Sequence, residues 1–403
     1  MSSATDTRVA IVGAGPVGMV AALGLHRIGV PAIVIESAPD EVRTEWRGST
    51  LHPPTLEIFD ELGIADPILE HGVRLERMVY RDLELDGEAS FPYSVVAEET
   101  RFPFRLQYEQ YKVLRHLKDA LAERAIPVLY EHRVTGFDQS DDSVAITVES
   151  SGAEQTIRAE WMIAADGAHS IVRKTLGVEF PGFTYPTQSL VVATPLALAN
   201  YVSDLTPVSY WSGPRGRVSV IRTPDIWRVA ITTNLGVDEE YEYTGDNPHP
   251  SFIDGMGLLL NNAVDPHTIG LKQHQFYRSH QRLASTFRVG RVLLAGDAAH
   301  LASTTGGMGL NSGVHDAHQL VLAFTHDDTD TALNAYAEGR RTVSEKLVQP
   351  MTTDNRTGTD LLDPAHRKQR LDDLRAQAAD PVTAKEHIYR AAMLGASRLE
   401  FST

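Results

Sequence analysis

The stretch RVAIVGAGPVGMVAALGLHRIGVPAIVIE, residues 8–36, decides the fold. Val9 to Val12 is a short apolar run rich in β-branched residues, which is typical of a buried parallel strand. The run ends at the glycine turn Gly13–Gly18, and Val17 to Ile28 then shows helical periodicity. Ala32 to Ile35 is a second apolar run of strand type. A strand, a glycine turn, a helix and a strand within about 30 residues are the setting in which a G-x-G-x-x-G motif binds a dinucleotide.

Each glycine of the G-x-G-x-x-G motif has its own physical role. Gly13 permits the tight turn, Gly15 lets a pyrophosphate approach the backbone, and Gly18 lets the helix pack closely on the strand. The helix N-terminus supplies free N–H groups and partial positive charge for the phosphates. Glu36 follows the second strand and is placed to accept hydrogen bonds from a ribose diol. We therefore assign the following residues to dinucleotide binding, without distinguishing NAD from FAD: Gly13, Ala14, Gly15, Val17, Gly18 and Glu36.

Composition limits the remaining possibilities. With 403 residues, 42% of them hydrophobic and 22% charged, the chain is expected to form two globular domains. A formal charge of −16 and the absence of a Lys/Arg run argue against nucleic acid and anionic membranes as partners. No apolar run approaches the roughly 20 residues that cross a bilayer. The N-terminus lacks the features of a signal peptide, so a cytoplasmic location is expected.

The chain contains no cysteine. This excludes disulfides, zinc–thiolate sites, cysteine nucleophiles and dithiol redox relays. We predict no metal site.

Two later segments also place an acidic residue after an apolar strand. In WMIAADGAHSIVR, residues 161–173, the run Trp161 to Ala165 leads into Asp166. A plain strand followed by a helix capped by Asp or Ser is an alternative interpretation of this segment. In RVLLAGDAAHLASTTGGMGLNSG, residues 291–313, Asp297 follows the strand Arg291 to Ala295, and a helix is predicted to begin near residues 309–311. Ligands collect at the carboxyl ends of strands in an open parallel sheet.

These three motifs together resemble the FAD-dependent aromatic hydroxylases, the single-component flavoprotein monooxygenases of the para-hydroxybenzoate hydroxylase type. The resemblance extends over roughly residues 8–345. It implies an α/β fold: a Rossmann-like FAD-binding domain with an inserted antiparallel β-sheet substrate domain and C-terminal helices. Strand–helix alternation and glycine turns place the FAD domain at 1–76, 100–180 and 285–348, the substrate domain at 77–99 and 181–284, and the closing helices at 349–403.

The resemblance also implies roles for matching residues. The glycine turn and Glu36 would bind the ADP half of non-covalent FAD, and Asp297 would hold the ribityl or pyrophosphate region. Arg47 and Gln107 fit two further FAD contacts of the family, whereas Asp166 and Arg173 could contact either FAD or NADPH. The residues expected to face the pyrimidine edge of the flavin are Gly307, Met308, Gly309, Leu310 and Asn311.

In the region expected to form the substrate pocket, this chain departs from the family's pattern. Tyr210 precedes Pro214-Arg215-Gly216, as a substrate-contacting tyrosine does in the family. The family's Ser-x-Arg pair is replaced by residues 221–223, although Arg222 could still meet an anion. Thr304 lies where the family has proline. Further candidates are His52, Trp211, Trp227, Tyr277 and His280, with ordinary packing or surface exposure as the alternative for each; His300 is interpreted as structural.

The resemblance implies hydroxylation of an aromatic or heteroaromatic, phenol-like substrate. NADPH or NADH would reduce FAD, and O₂ would then give a C4a-hydroperoxyflavin that transfers one oxygen atom. No catalytic base is identified, and no second G-x-G-x-x-G motif provides a separate NADPH domain. Alternatives of the same fold are a halogenase or a polyprenyl reductase; an alternative of another class is a non-catalytic flavin or NAD sensor. A homodimer is possible.

Overall fold

A computed structural model describes residues 5–42, 44, 48–214, 216–357 and 363–397. The strands, in chain order, are β1 (Thr5–Val12), β2 (Ala32–Ile35), β3 (Thr50–Leu51), β4 (Val73–Leu75), β5 (Arg77–Asp82), β6 (Glu88–Pro92), β7 (Arg105–Gln107), β8 (Val128–Leu129), β9 (Arg133–Gln139), β10 (Val144–Ser150), β11 (Ala153–Ala164), β12 (Gly182–Thr184), β13 (Thr187–Thr194), β14 (Val208–Gly213), β15 (Gly216–Arg222), β16 (Trp227–Gly236), β17 (Gln273–Tyr277), β18 (His280–Leu283), β19 (Arg288–Val289), β20 (Val292–Leu294) and β21 (His300–Leu301). The α-helices are α1 (Pro16–Arg27), α2 (Pro53–Glu61), α3 (Ala65–His71), α4 (Gln110–Glu123), α5 (Ile171–Thr175), α6 (Pro250–Leu259), α7 (Met308–Ala323), α8 (Thr329–Val343), α9 (Gln349–Thr357), α10 (Pro364–Ala379) and α11 (Pro381–Ala391).

The first sheet has the order β19-β20-β11-β1-β2-β8, and β20, β11, β1, β2 and β8 pair in parallel. The carboxyl-terminal residues of its central strands, 9–12, 33–35, 161–164 and 292–294, are buried and rich in apolar residues, as a sheet covered on both faces requires. The register pairs Val12 with Ala164 and Ala164 with Leu294. The three predicted motifs therefore leave the sheet at the same edge, next to one another.

Helices α1 and α7 pack closely through glycine. A Cβ on Gly24 would lie 2.6 Å from Cγ2 of Val321, and a Cβ on Gly313 would lie 2.6 Å from Cγ2 of Val17. The absence of side chains at these two positions lets the helix axes approach, which brings the N-termini of both helices to the same edge of the sheet.

The second sheet has the order β17-β13-β16-β15-β14-β5-β6, and all of its strands come from residues 77–92 and 187–277. We expected an antiparallel sheet, and the pairs are antiparallel except for β5 and β14, which run in parallel. A long connection through the first domain separates these two strands, so no hairpin constrains their direction. Helix α6 packs on one face through Phe252 and Met256.

Helices α10 and α11 cover the opposite face of the second sheet. Leu371 and Ile388 pack there with Met78 and Phe91. Arg367 at the start of α10 is buried and binds Asp82 and Glu84, so charge pairing as well as apolar contact holds the C-terminal helices in place. Within the part of the chain that the structure describes, no helix is both long and apolar enough to span a bilayer.

Candidate active site

The glycine turn after β1 is open to a ligand at one of its three motif glycines. Gly13 has φ +106°, and a Cβ there would lie 2.4 Å from the carbonyl oxygen of Ala165; a Cβ on Gly18 would lie 2.0 Å from the carbonyl oxygen of Gly13. These two glycines are required by contacts within the protein. A Cβ on Gly15 would meet no heavy atom within 4 Å. The space in front of Gly15, at the N-terminus of α1, can admit a phosphate group.

Glu36 lies beside this turn. Its carboxylate accepts hydrogen bonds from the backbone N–H of Ala14 at 2.7 Å and of Ala38 at 2.8 Å. A carboxylate has about four lone-pair sites, so acceptor capacity for a ribose diol remains.

Asp166 follows β11 at the same edge of the sheet. Its Oδ2 accepts the N–H of Val172 at 3.2 Å, and Ser170 Oγ accepts the N–H of Arg173 at 2.9 Å, so both side chains cap α5. The structure therefore contains the strand followed by a capped helix that was the alternative interpretation of this segment. Asp166 Oδ1 is buried and has no hydrogen-bond partner among the described residues. A buried acceptor without a donor is costly, and a bound ligand could supply one.

Arg173 has its own structural contacts. The guanidinium donates to the carbonyl oxygens of Ala298 at 2.8 Å and Ala168 at 3.0 Å and lies 3.8 Å from the ring centroid of Phe180. Arg173 therefore links the segment that contains Asp166 to the segment that contains Asp297 through hydrogen bonds.

Asp297 lies in a 3₁₀ turn directly after β20. Its side chain is exposed, yet the protein packed around it raises its pKa by desolvation. An exposed carboxylate surrounded by protein must face a cleft. This position agrees with the predicted hydrogen bond to a polyol.

A buried network that the sequence did not reveal holds the Asp297 turn. Asp316 of α7 accepts the N–H of Gly296 at 2.9 Å, His300 Nε2 lies 2.7 Å away, and Arg340 of α8 donates from Nε at 2.6 Å. Burial alone would raise the pKa of Asp316, but His300 and Arg340 lower it to about 2. Asp316 therefore stays ionised and fixes the backbone that carries Asp297, and His300 has the structural position that we expected.

The start of α7 is fixed by one buried side chain. Asn311 donates to the carbonyl oxygens of Thr50 at 2.8 Å and Gly307 at 2.7 Å and accepts the N–H of His52 at 2.8 Å. Gly307 has φ +69°, and a Cβ there would lie 2.6 Å from Cβ of Thr50. The turn is therefore rigid and pressed against β3.

The first turn of α7 presents backbone to the cleft. Gly307, the N-cap residue, has no side chain, so it makes no capping hydrogen bond to the N–H groups of the first turn. Met308 is buried and Leu310 half-buried, and a Cβ on Gly309 would meet nothing within 4 Å. Open backbone N–H groups at a helix N-terminus suit an electron-rich ring oxygen.

Two buried side chains near this turn retain unpartnered atoms. Gln107 Oε1 accepts from the hydroxyl of Thr50 at 3.1 Å, while Gln107 Nε2 is buried without a partner among the described residues. His52 Nε2 lies 3.0 Å from the carbonyl oxygen of Gly306, so Nε2 carries the proton and Nδ1 is a buried acceptor without a described partner. Burial keeps the pKa of His52 well below its ordinary value, so the ring is neutral.

The residues along this cleft fit a bound FAD. Open backbone occurs at Gly15 and Gly309, an exposed carboxylate occurs at Asp297, and buried polar atoms without described partners occur at Asp166 and Gln107. Each complements a different part of a dinucleotide: phosphates, flavin edge and polyol.

A cavity of about 280 Å³ begins at the same turn before α7. The turn forms one wall with Thr305, Gly306 and Met308, the second sheet forms another, and the C-terminal helices close it. Further side chains that line it are Met78, Tyr80, Arg105, Tyr210, Arg217, Asp354, Arg370, His387 and Arg390.

Aromatic side chains order the sheet wall of the cavity. Tyr80 stacks on Tyr210 with ring centroids 5.5 Å apart, and the hydroxyl of Tyr210 accepts from Arg105 Nη1 at 3.1 Å. Tyr80 Oη lies 3.2 Å from His387 Nε2. Burial, with help from Arg390, Arg370 and Arg105, lowers the pKa of His387 to about 4, so the ring is neutral near pH 7 and its Nε2 accepts a hydrogen bond from the Tyr80 hydroxyl.

Of the predicted pocket residues, Tyr210 lines the cavity, and His52 lies behind it through its contact with Gly306. Trp211 is the next residue on β14, faces the other side of the sheet and packs in the α6 core together with Trp227. Arg222 donates to the carbonyl oxygen of Pro224 at 3.3 Å, away from the cavity.

The other candidates form a group beyond the turn. Thr304 donates to the hydroxyl of Tyr277 at 3.0 Å, and His280 Nδ1 lies 2.9 Å from the hydroxyl of Thr184. None of these side chains belongs to the cavity wall. Arg47 and Arg215 lie outside the described residues.

The sequence did not lead us to predict three polar side chains of the cavity wall: Arg105, Arg370 and His387. Arg105 is two positions before Gln107 on β7 and is only 2% exposed, while Arg370 and His387 come from helices that we interpreted only as closing elements. A charged residue inside the apolar segment RFPFRLQY was the one available signal for Arg105.

Taken together, a largely parallel sheet, three adjacent turns at one of its edges and side chains there that fit FAD are features of a dinucleotide-binding oxidoreductase fold. The chain matches the family model described as "FAD binding domain" over residues 6–351. It is 32% identical over 370 residues to the para-nitrophenol 4-monooxygenase of Pseudomonas sp. (strain WBC-3), covering 89% of each chain.

Two further comparisons agree. The chain is 30% identical to the 3-(3-hydroxy-phenyl)propionate/3-hydroxycinnamic acid hydroxylase of Escherichia coli (strain SMS-3-5 / SECEC), covering 86% of this chain and 62% of that protein. The crystal structure of the p-nitrophenol 4-monooxygenase PnpA from Pseudomonas putida DLL-E4 superimposes with a TM-score of 0.88 at 28% identity, covering 98% of this chain and all of that one. The chain belongs to the FAD-dependent aromatic hydroxylases and is a monooxygenase. The predicted family and fold class are confirmed.

Proposed function

We propose that the protein hydroxylates a small, phenol-like aromatic ring at the expense of NADH or NADPH and O₂. The observation that carries the proposal is the shared turn at residues 305–308. Its backbone leads into the proposed flavin site at α7, and its other side is a wall of the cavity. A ring in the cavity would therefore lie next to the flavin.

Bound FAD would supply the redox chemistry, taking two electrons from the nicotinamide and passing one oxygen atom of O₂ to the ring. The protein's own residues bind and orient the ring and keep water out. Tyr210 and Tyr80 offer a stacked aromatic wall, and Arg105 fixes the hydroxyl of Tyr210. Gln107, Asp166 and Asp297 are proposed to hold FAD.

The size of the cavity supports a small substrate. Its 280 Å³ lies near the lower end of the range for small-molecule sites, about 300–1,000 Å³. Two relatives are named for single-ring phenols, para-nitrophenol and 3-(3-hydroxyphenyl)propionate. Both observations support the proposal of a single-ring substrate.

The Tyr80–His387 pair is proposed to orient the ring rather than to remove its proton. Burial raises the pKa of Tyr80 and lowers that of His387, so both are neutral near pH 7. A neutral tyrosine donating to a neutral histidine is a fixed dipole at the cavity wall.

The test uses purified protein with FAD. NADH and NADPH oxidation and O₂ uptake are measured with a panel of phenols, hydroxypyridines and quinolones. We expect one nicotinamide to be preferred, and a small phenol to stimulate both rates together. A halogenase would require halide for product, a polyprenyl reductase would consume no O₂, and a protein without flavin absorbance or stimulated oxidation would refute the proposal. Size-exclusion chromatography tests the predicted homodimer.

A further inference from the structure

The cavity carries far more positive than negative charge. Among the described residues, its lining includes Arg105, Arg217, Arg370 and Arg390, against the single carboxylate of Asp354. His387 adds no charge near pH 7, because burial lowers its pKa to about 4. This concentration of cations is unexpected in a chain whose formal charge is −16.

Arg105 is buried without an anionic partner in the described part of the chain. Its guanidinium donates to neutral acceptors, the hydroxyl of Tyr210 at 3.1 Å and the carbonyl oxygen of Ala391 at 3.2 Å, and Nε has no described partner. Buried arginines are usually paired with carboxylates because desolvating a lone charge is costly. An anion that completes this pair is therefore expected in the working complex.

Arg370 supplies a second cation at the same cavity. It is half-buried on α10 and forms no hydrogen bond or ion pair with a described residue. Arg390, by contrast, lies 3.9 Å from Asp354 and is largely exposed, and Arg217 contacts the carbonyl oxygen of Asn355. Arg105, which is buried, and Arg370, which forms no described hydrogen bond or ion pair, are thus two cations of the cavity without an anionic partner among the described residues.

We propose that the cavity selects its aromatic substrate by negative charge, with Arg105 as the residue that holds the anionic group and Arg370 as a second specificity-determining cation. The ligand class is a single-ring phenol that carries a carboxylate substituent or an ionised nitrophenol oxygen at neutral pH. The inference rests on the proposed function, since it takes the ligand of the cavity to be the ring that is hydroxylated.

The planar guanidinium explains why arginine suits this role. It offers parallel N–H donors that match the two oxygens of a carboxylate or nitro group, and its charge persists when buried. The stacked Tyr80 and Tyr210 would then contact the face or edge of the ring.

The experiment measures binding to the oxidised holoenzyme by perturbation of flavin absorbance, separately from turnover. The ligands are 4-hydroxybenzoate and its neutral, similarly shaped amide, and 4-nitrophenol above and below the pH at which it ionises. We expect at least one anion to bind about tenfold or more tightly than its neutral counterpart. The two pairs distinguish a carboxylate from a phenolate as the recognised group.

Variants connect the preference to the two arginines. Arg370→Gln, on a half-buried helix position, is expected to fold and to weaken the anion several-fold while leaving the amide unchanged. Arg105→Met is expected to abolish the preference, and Arg105→Lys, which keeps the charge, to retain part of it. The matched control is Arg158→Gln, an exposed arginine of β11 outside the cavity, which should change neither affinity.

Equal binding of neutral and anionic rings, no binding of either, or an equal loss of both in Arg370→Gln would overturn the inference. These outcomes would leave the proposed function standing if some phenol still stimulates NAD(P)H oxidation and O₂ uptake. Failure of the proposed function would appear instead as the absence of that stimulation for every ring.

Discussion

At the scale of single residues, two glycines of the same turn have different roles: Gly13 is required for folding, and Gly15 is proposed to make room for the cofactor. Gly13 has no room for a side chain, whereas Gly15 has open space and an extended backbone with φ −74° and ψ 179°. The sequence motif predicts both glycines but cannot tell which is needed by the protein itself and which by the ligand. That distinction depends on the carbonyl oxygen of Ala165, 152 positions along the chain from Gly13.

We expect Gly15→Ala to leave the melting temperature of the FAD-free protein unchanged, because alanine tolerates this backbone and meets no atom. FAD affinity, measured by quenching of flavin fluorescence, should fall tenfold or more, or about 1.4 kcal/mol, because the methyl group occupies the phosphate's approach. Gly270→Ala is the matched control, since a Cβ there also meets nothing within 4 Å and lies away from the cleft. Unchanged FAD affinity in Gly15→Ala would place the phosphates elsewhere.

His387 gives a prediction for pH. Its folded-state pKa of about 4 lies below the ordinary 6.5, so between these values the unfolded chain binds more protons than the folded one. The free energy of unfolding must therefore rise with pH across this window, and His387 contributes at most about 3 kcal/mol to that rise.

Urea denaturation at pH 5 and pH 7 tests this sign. His387→Gln keeps a hydrogen-bond acceptor for Tyr80 but does not titrate, so its stability should change less between the two pH values than that of the unaltered protein. His26→Gln, at an exposed position of α1, should keep the full pH dependence. A His387→Gln variant with the full dependence would contradict the neutral buried ring.

At the scale of elements, the predicted strands and helices of the three motifs are found, most with bounds within one or two residues of the prediction and one strand much longer than predicted. The helix predicted near residues 309–311 begins at Met308, and the strand predicted at 161–165 begins as early as Ala153. Apolar periodicity predicts such elements because burial of one side of a helix or strand requires apolar residues at the matching sequence spacing. The parallel pairing of β5 and β14 was missed, because pairing direction depends on the route of a long connection rather than on either strand's residues.

The contact between α1 and α7 yields a second stability prediction. Gly313→Ala should lower the free energy of unfolding of the FAD-free protein by about 1–3 kcal/mol, because the new methyl group would overlap Val17 and approach Cα of Gly296. Removing the opposing methyl groups in Val17→Ala/Gly313→Ala should cost less than the sum of the single changes.

Gly309→Ala is the matched control on the same helix. Its Cβ would meet nothing, and alanine favours a helix by up to about 1 kcal/mol, so the stability of the FAD-free protein should stay equal or rise. A Gly313→Ala variant as stable as Gly309→Ala would contradict the close contact between α1 and α7.

At the scale of the whole molecule, three distant parts of the chain enclose the cavity: the second sheet, the turn before α7 and the C-terminal helices. The sequence resemblance predicts the first two because their motifs match the family. It also predicts the C-terminal helices, but not that they line the cavity, because a charged helical segment such as 364–391 is typical of a solvated surface. Only packing reveals that Arg370 and His387 face inward.

Arg367 forms ion pairs that connect the C-terminal helices to the second sheet. It binds Asp82 at 2.8 Å and Glu84 at 2.6 Å, and Asp82 is buried. Arg367→Met should cost about 3–5 kcal/mol of stability, because it leaves the Asp82 charge buried. Arg367→Met/Asp82→Asn should recover part of this loss in urea denaturation. A double variant no more stable than the single one would show that the buried charge is not the cause.

The most direct measurement follows the oxygen atom. The FAD-loaded protein is given NADH or NADPH, a phenol that stimulates oxidation, and ¹⁸O₂ in ordinary water, and the product is analysed by mass spectrometry. We expect one ¹⁸O atom in each hydroxylated ring, with one nicotinamide oxidised per product when coupling is complete. Product oxygen derived from water, or nicotinamide oxidation that yields only hydrogen peroxide with every phenol tested, would contradict the hydroxylase function proposed for this cavity.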